Sequence, residues 1–173
     1  MRNRAIFLDR DGTIIYERNY LSRIAEIKLL PGTKKALTLL KSSGFLLIVL
    51  TNQSGIARGF FDKKFVKTTH QIINRKLGGI IDDFFVCPHS PDAHCSCRKP
   101  KNGLLRAAAK RWRINLSSSW IVGDKLSDIM IRNKDGMSSI LIGKNGSHYC
   151  SDSWNRIVKT IMKTEYRRQY VGR

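Results

Sequence analysis

Two carboxylates, Asp9 and Asp11, stand two positions apart in the run Asp9-Arg10-Asp11-Gly12-Thr13, directly after an apolar stretch. A carboxylate is already an anion at neutral pH, so Asp9 can attack phosphorus without a base to activate it. Asp11 is then free to protonate the leaving alcohol and later to deprotonate the water that cleaves the acyl phosphate. Bringing an anionic nucleophile to an anionic phosphate requires a cation. Mg²⁺ prefers oxygen ligands, which points to Asp9, Asp124 and, at Asp11, a main-chain carbonyl. The hydroxyl of Thr51 and the main-chain amides that follow it, through Asn52, Gln53 and Ser54, can hold phosphate oxygens.

An Asp-x-Asp-Gly run by itself is commonly a turn, with the glycine at positive φ and the aspartates capping amides. Its company argues for chemistry: Thr51-Asn52-Gln53-Ser54 and Gly123-Asp124-Lys125, with Asp128 beyond, close two further strand-like runs. Asp128 is the weakest member of this set, because one turn into a helix a carboxylate can simply complement the dipole or cap.

A second cluster is Cys87-x-His89 with Cys95-x-Cys97, three thiols and one imidazole within positions 87–97. Four such ligands complete a tetrahedral zinc shell with no open position, which means structure and not catalysis. The pairs are tighter than common finger spacings, so chance proximity of thiols in a reducing cell is the competing reading. His94 is a rival ligand, although its place beside Cys95 makes joint coordination awkward. Arg98 and Lys99 follow Cys97 directly, so a metal bound here would aim them. Cys150 is left over and reads as a plain thiol.

Periodicity predicts strands at 5–8, 45–50, 84–86, 120–122 and 139–142. Helical patterns lie between them. One covers 33–43 and is closed by Gly44; the next is capped by Asp62, with Phe65, Thr69, Ile72 and Ile73 on its apolar face. A third spans 103–112, a fourth follows Asp124, and a last carries Trp154, Ile157, Val158 and Ile161 at helical spacing. This alternation predicts a single doubly wound, Rossmann-like parallel sheet in one α/β domain, 1–173. Open sheets of this kind bind ligands beyond the carboxyl ends of their strands, where the three polar loops would converge.

The 173 residues suit one domain, and no apolar run reaches membrane-spanning length. No separate apolar leader precedes 5–8, so the cytoplasm is the expected location. The net charge of +19 would attract anions of any kind. Lys and Arg are spread along the chain and densest in the C-terminal helix and tail, 152–173, so a solvated surface is favoured over a nucleic-acid footprint. A small phosphorylated substrate and a monomer are expected.

The segments FLDRDGT, TNQSGIARG, CRKP and VGDKLSD closely resemble the motifs of the haloacid dehalogenase superfamily of aspartate-nucleophile phosphatases. More narrowly they resemble its family of D-glycero-D-manno-heptose 1,7-bisphosphate 7-phosphatases, over nearly the whole chain to about position 146. The resemblance implies Mg²⁺, structural Zn²⁺ on Cys87, His89, Cys95 and Cys97, an aspartyl-phosphate route and no cap domain. It implies that Asp9 is the nucleophile and Asp11 the acid/base, that Thr51 and Lys99 stabilise the phosphoryl group, and that Asp124 binds the metal. Arg98 would recognise the substrate with Lys125 close by, and specificity would fall to short loops: Glu17, Arg18, Asn19 and Tyr20, the 55–59 loop with Arg58, and the zinc loop.

The related histidinol-phosphate phosphatases share this plan but carry an acidic residue where Ser54 stands, and TNQSGIARG with Arg58-Gly59 is similar to the sugar enzymes. Two departures bear on the substrate: Glu17-Arg18-Asn19-Tyr20 replaces a more usual Asp and Gly-Tyr, and Arg132 and Lys134 stand where small residues are typical. The rival functions are a polynucleotide 3′-phosphatase, which the zinc loop disfavours, and a zinc-stabilised nucleic-acid-binding module.

Overall fold

The computed structural model describes residues 2–131, 136–143, 150–151 and 154–170. Its strands are β1 (Ala5–Leu8), β2 (Leu46–Asn52), β3 (Asp83–Cys87), β4 (Trp120–Gly123), β5 (Ser138–Ile142) and β6 (Cys150–Ser151). They form one sheet in the order β3-β2-β1-β4-β5-β6, and every pairing is parallel. The five predicted strands are present; the two-residue β6 was too short to leave a periodic signal.

Parallel strands buried on both faces alternate their side chains between two cores. In β1, Ile6 and Leu8 face one core while Ala5 and Phe7 face the other; in β2, Leu47 and Val49 oppose Ile48 and Leu50 in the same way. The first core is covered by α1 (Thr33–Ser42), α2 (Lys63–Leu77) and α5 (Trp154–Tyr170), and the second chiefly by α3 (Gly103–Arg111). The short α4 (Leu126–Ile129) sits at the end of β4.

The expected helix ends hold. Asp62 accepts a hydrogen bond from the Phe65 amide at 2.7 Å, and Gly44, at φ +84°, lies just past α1. The predicted apolar stripe of α2 needs rotating: Thr69 and Ile73 are buried, but Phe65 and Ile72 are only half-buried, and the inward face is completed by Val66, His70 and Leu77. The stripe Trp154, Ile157, Val158 and Ile161 of α5 is core, as predicted. Arg132, Lys134, the Cys150 side chain and 171–173 lie outside the described residues. Among those described, no helix is long and apolar enough to cross a membrane.

Strand β1 is flanked by β2 and β4, so the winding reverses between β1 and β4. That switch point opens a crevice at the carboxyl ends of both strands, and Asp9 and Asp124 are the residues delivered there.

Candidate active site

Asp9 continues the sheet by one bond, its amide donating to the Val122 carbonyl at 3.0 Å, and the chain then turns sharply. The amides of Ile14 and Ile15 close that turn onto the Arg10 carbonyl at 2.9 and 3.1 Å. Gly12 is required on two counts: its φ is +78°, and a Cβ there would lie 2.3 Å from Oδ2 of Asp124. The indole of Trp154, fully inside the core, donates to the Thr13 carbonyl at 3.1 Å and ties α5 to this loop.

Carboxylate oxygens of Asp9, Asp124 and Asp128 all lie within 4.8 Å of one another. Lys99, 4 % exposed, places its ammonium 2.5 Å from Asp9 Oδ1, 2.7 Å from Asp128 Oδ1 and 2.7 Å from the Leu50 carbonyl. Burial works to lower that ammonium's pKa, but the charges of Asp9 and Asp128 hold it above the ordinary lysine value. Burial, reinforced by the negative charges of Asp9 and Asp128, pushes Asp124 up to about 7. Burial and then Asp9 raise Asp128 as well. Three crowded carboxyl groups, all hard oxygen donors, fit a divalent cation such as Mg²⁺.

Asp128 both caps and serves the site: Oδ2 accepts from the Lys125 amide at 3.0 Å while Oδ1 meets Lys99. Asp11 turns away from the three-carboxylate group. Its oxygens accept from Arg10 Nε and Nη2, each at 3.0 Å, and from Gln53 Nε2 at 2.9 Å. Its side chain is not among the three carboxylates that could hold a metal ion. Burial pushes the Asp11 carboxyl above its usual range, Arg10 opposes this, and Asp9 adds to it. The buried Thr51 hydroxyl accepts from Gln53 Nε2 at 2.8 Å.

The Cys/His cluster, which could hold a metal ion, assembles from the end of β3 and the loop after it. Sulfur separations among Cys87, Cys95 and Cys97 are 3.3 to 3.7 Å, and His89 Nδ1 is 3.3 Å from Cys97 and 3.7 Å from Cys87. Four ligands at ~2.0–2.3 Å from a common centre imply edges of about 3.5–3.8 Å, while a disulfide would need ~2.05 Å. Burial and the two neighbouring sulfurs push the Cys97 thiol up to about 12, so three thiolates need a cation to coexist. His89 is in the cluster and His94 is not; the His94 carbonyl instead accepts from Lys101 Nζ at 3.0 Å.

A cleft of about 380 Å³ contains Asp9, Asp11, Thr51 and Lys99 on its floor. Glu17, Arg18, Asn19, Tyr20, Ser54, Arg98 and Lys125 line its mouth, where Lys125 and Glu17 pair at 2.6 Å. Asn52 and Gln53 also line it, but their amides are spent on Lys99 and on Asp11 and Thr51. Arg58 stands outside the lining, its guanidinium 5.5 Å over the Tyr20 ring, and Tyr20 meets Phe60 edge-on at 4.7 Å. A larger groove, about 640 Å³ between α2 and β3, contains none of the cleft's carboxylates.

Sequence reasoning missed Arg10, which carried no signal beyond its place between two aspartates, and left Asp128, legible as Gly-Asp-x3-Asp, at the margin.

The chain matches the family model described as HAD-hydrolase-like over residues 96–155. It is 36 % identical over 156 residues to a D-glycero-beta-D-manno-heptose-1,7-bisphosphate 7-phosphatase of Haemophilus ducreyi, covering 84 % of this chain and 86 % of that one. The crystal structure of D,D-heptose 1,7-bisphosphate phosphatase from B. bronchiseptica, complexed with magnesium and phosphate, superposes with a TM-score of 0.83. That match is at 28 % identity and covers 93 % of this chain and 99 % of the other. The histidine biosynthesis bifunctional protein HisB of Blochmanniella floridana is 30 % identical over 179 residues, all of this chain but 49 % of its own length.

Proposed function

Because the chain belongs to the haloacid dehalogenase-like phosphatases, in the family of the heptose 1,7-bisphosphate 7-phosphatases, we propose that it removes the 7-phosphate of D-glycero-β-D-manno-heptose 1,7-bisphosphate. The observation that carries this reading is the Lys99 ammonium, 2.5 Å from Asp9 and 2.7 Å from Asp128 at the switch point of the sheet. A cation fixed beside a carboxylate nucleophile is what phosphoryl transfer needs from the protein.

Asp9 attacks phosphorus while the bond from phosphorus to the sugar oxygen breaks, and Asp11 gives its proton to that oxygen. Burial, which raises the Asp11 carboxyl above its usual range, favours this first role. Asp11 then takes a proton from water, whose oxygen attacks the phosphoryl group and frees Asp9 and inorganic phosphate. Lys99 and the Thr51 hydroxyl hold the transferred group. Mg²⁺, held by Asp9, Asp124, Asp128 and the Asp11 carbonyl, would supply charge neutralisation between the two anions. Zn²⁺ on Cys87, His89, Cys95 and Cys97 would order the loop that carries Arg98 and Lys99.

The match to HisB motivates a second reading, histidinol phosphate. Electrostatics favours the sugar: a bisphosphate keeps an anionic phosphate at its far end, and Arg18, Arg98 and Lys125 line the cleft mouth. Histidinol phosphate presents an ammonium instead, and the one carboxylate among the described residues at the mouth, Glu17, is already paired with Lys125. The same reading takes the chain as a single cap-less cytoplasmic domain acting on a small sugar phosphate as a monomer.

The test is phosphate release from heptose 1,7-bisphosphate, histidinol phosphate and a 3′-phosphorylated oligonucleotide, side by side with Mg²⁺. The expected order puts the heptose first, with Asp9→Asn inactive on all three. Preference for histidinol phosphate or the oligonucleotide overturns the substrate assignment.

A further inference from the structure

Behind the cleft floor lies a buried cation that the reaction does not consume. Arg10 is 2 % exposed, and a guanidinium so deep in the protein must have its donors matched, because each unmatched one loses its water without replacement. Nε and Nη2 fork onto the two oxygens of Asp11, both at 3.0 Å, and Nη2 also reaches Gln53 Oε1 at 3.0 Å. The far corner, Nη1, meets Nε2 of His70 at 3.4 Å, sixty positions along the chain in α2.

Guanidinium has no lone pair to offer, so His70 must be the acceptor, with its proton on Nδ1. Burial, and then the charge of Arg10, hold His70 down at about 3, which keeps it a neutral acceptor. The ring cannot swing away: it stacks on Phe84 of β3, centroids 4.3 Å apart and planes 14° from parallel. A fork bound at one edge only can pivot about that edge; one held at both edges keeps its orientation.

We infer that His70 is a positioning residue for the acid/base: through Arg10 it fixes where the Asp11 carboxyl stands, and so the transfer of its proton to the leaving oxygen. The inference rests on the aspartyl-phosphate reading above. It assigns to His70, which lines the α2–β3 groove and meets the cleft residue Arg10, a part in chemistry rather than only in packing.

Leaving groups separate these roles. A sugar alkoxide needs Asp11's proton as its bond to phosphorus breaks, whereas p-nitrophenolate leaves without one. In single-turnover experiments, His70→Leu is expected to slow phosphoryl transfer from the heptose bisphosphate about tenfold, a fraction of the ~10²–10⁴ of a general acid. The p-nitrophenolate burst should stay within about twofold, and KM should hardly move. His70→Gln, which puts an amide oxygen near the position of Nε2, should restore most of the loss.

Equal slowing on both substrates, no slowing on either, or failure of a folded Gln variant to recover the rate overturns the proposal. Should His70→Leu not fold, Arg10→Lys, which keeps the charge but not the fork, must give the same leaving-group pattern or the proposal falls. Asp9→Asn is the separate control: a surviving nitrophenolate burst would refute the aspartyl-phosphate reading itself, whatever His70 does.

Discussion

The side-chain amide of Asn52 grips both main-chain groups of Lys99, donating from Nδ2 to its carbonyl at 3.2 Å and accepting from its N–H at 3.1 Å. The end of β2 thereby holds the loop that follows the Cys/His cluster at the residue whose ammonium reaches Asp9. Asn52→Ala removes both bonds, and at ~0.5–1.5 kcal/mol apiece the fold should lose about 1–3 kcal/mol. Turnover should fall by roughly 10- to 100-fold with KM little changed, since Lys99 serves the transferring phosphoryl group. A kcat within a factor of about two of wild type would show that Lys99 is aimed by something else.

Zinc removal should act on the same lever from the other side. Cys97 is two residues before Lys99, and its sulfur lies 3.3 Å from Cys87 and 3.5 Å from Cys95. Cys97→Ser, or complete chelation, should lower Tm by on the order of 10 °C and reduce turnover together with it. Retention of full activity by protein shown free of zinc by elemental analysis would end the proposed role.

Magnesium affinity should depend on pH through Asp124. Its pKa lies at about 7 in the metal-free fold against an ordinary 3.8, so between those values the folded chain holds a proton that the unfolded chain has released. The raised group therefore favours the metal-free fold at low pH, and this contribution disappears as pH rises through about 7. Bound Mg²⁺ needs the carboxylate, so below pH ~7 its apparent affinity should drop about tenfold per unit, and the Mg²⁺-induced rise in Tm should be larger at pH 8 than at pH 6. Equal affinities by titration calorimetry at the two pH values would contradict this.

Gly12→Ala should damage the site more than the fold. The methyl would sit 2.3 Å from Asp124 Oδ2 at a φ of +78°, so either Asp124 or the loop must shift. The left-handed backbone costs about 1–2 kcal/mol for alanine, and displacement of a metal ligand should reduce turnover by at least about a hundredfold. Wild-type Mg²⁺ affinity in this variant would show that the loop relaxes without moving Asp124.

The strands, the helix caps at Asp62 and Gly44, and the placing of Asp9, Thr51 and Asp124 were readable because each rests on neighbours in the chain: an apolar run interrupted by polar residues, a capping oxygen, a glycine after a helix. The Cys/His cluster was readable because its four members fall close together in the chain, so their meeting needs no knowledge of the rest of the fold. Which side chains Asp11 and Asp128 meet was not readable, nor was the inward face of α2. Asp11 faces Arg10 and Gln53 instead of the metal ligands, Asp128 reaches Lys99, and α2 turns His70 rather than Ile72 toward the core. Each of these depends on the rotation of one packed element against another. Such a rotation changes no local spacing or composition, and it is settled only when distant side chains compete for the same buried space and the same buried hydrogen-bond partners.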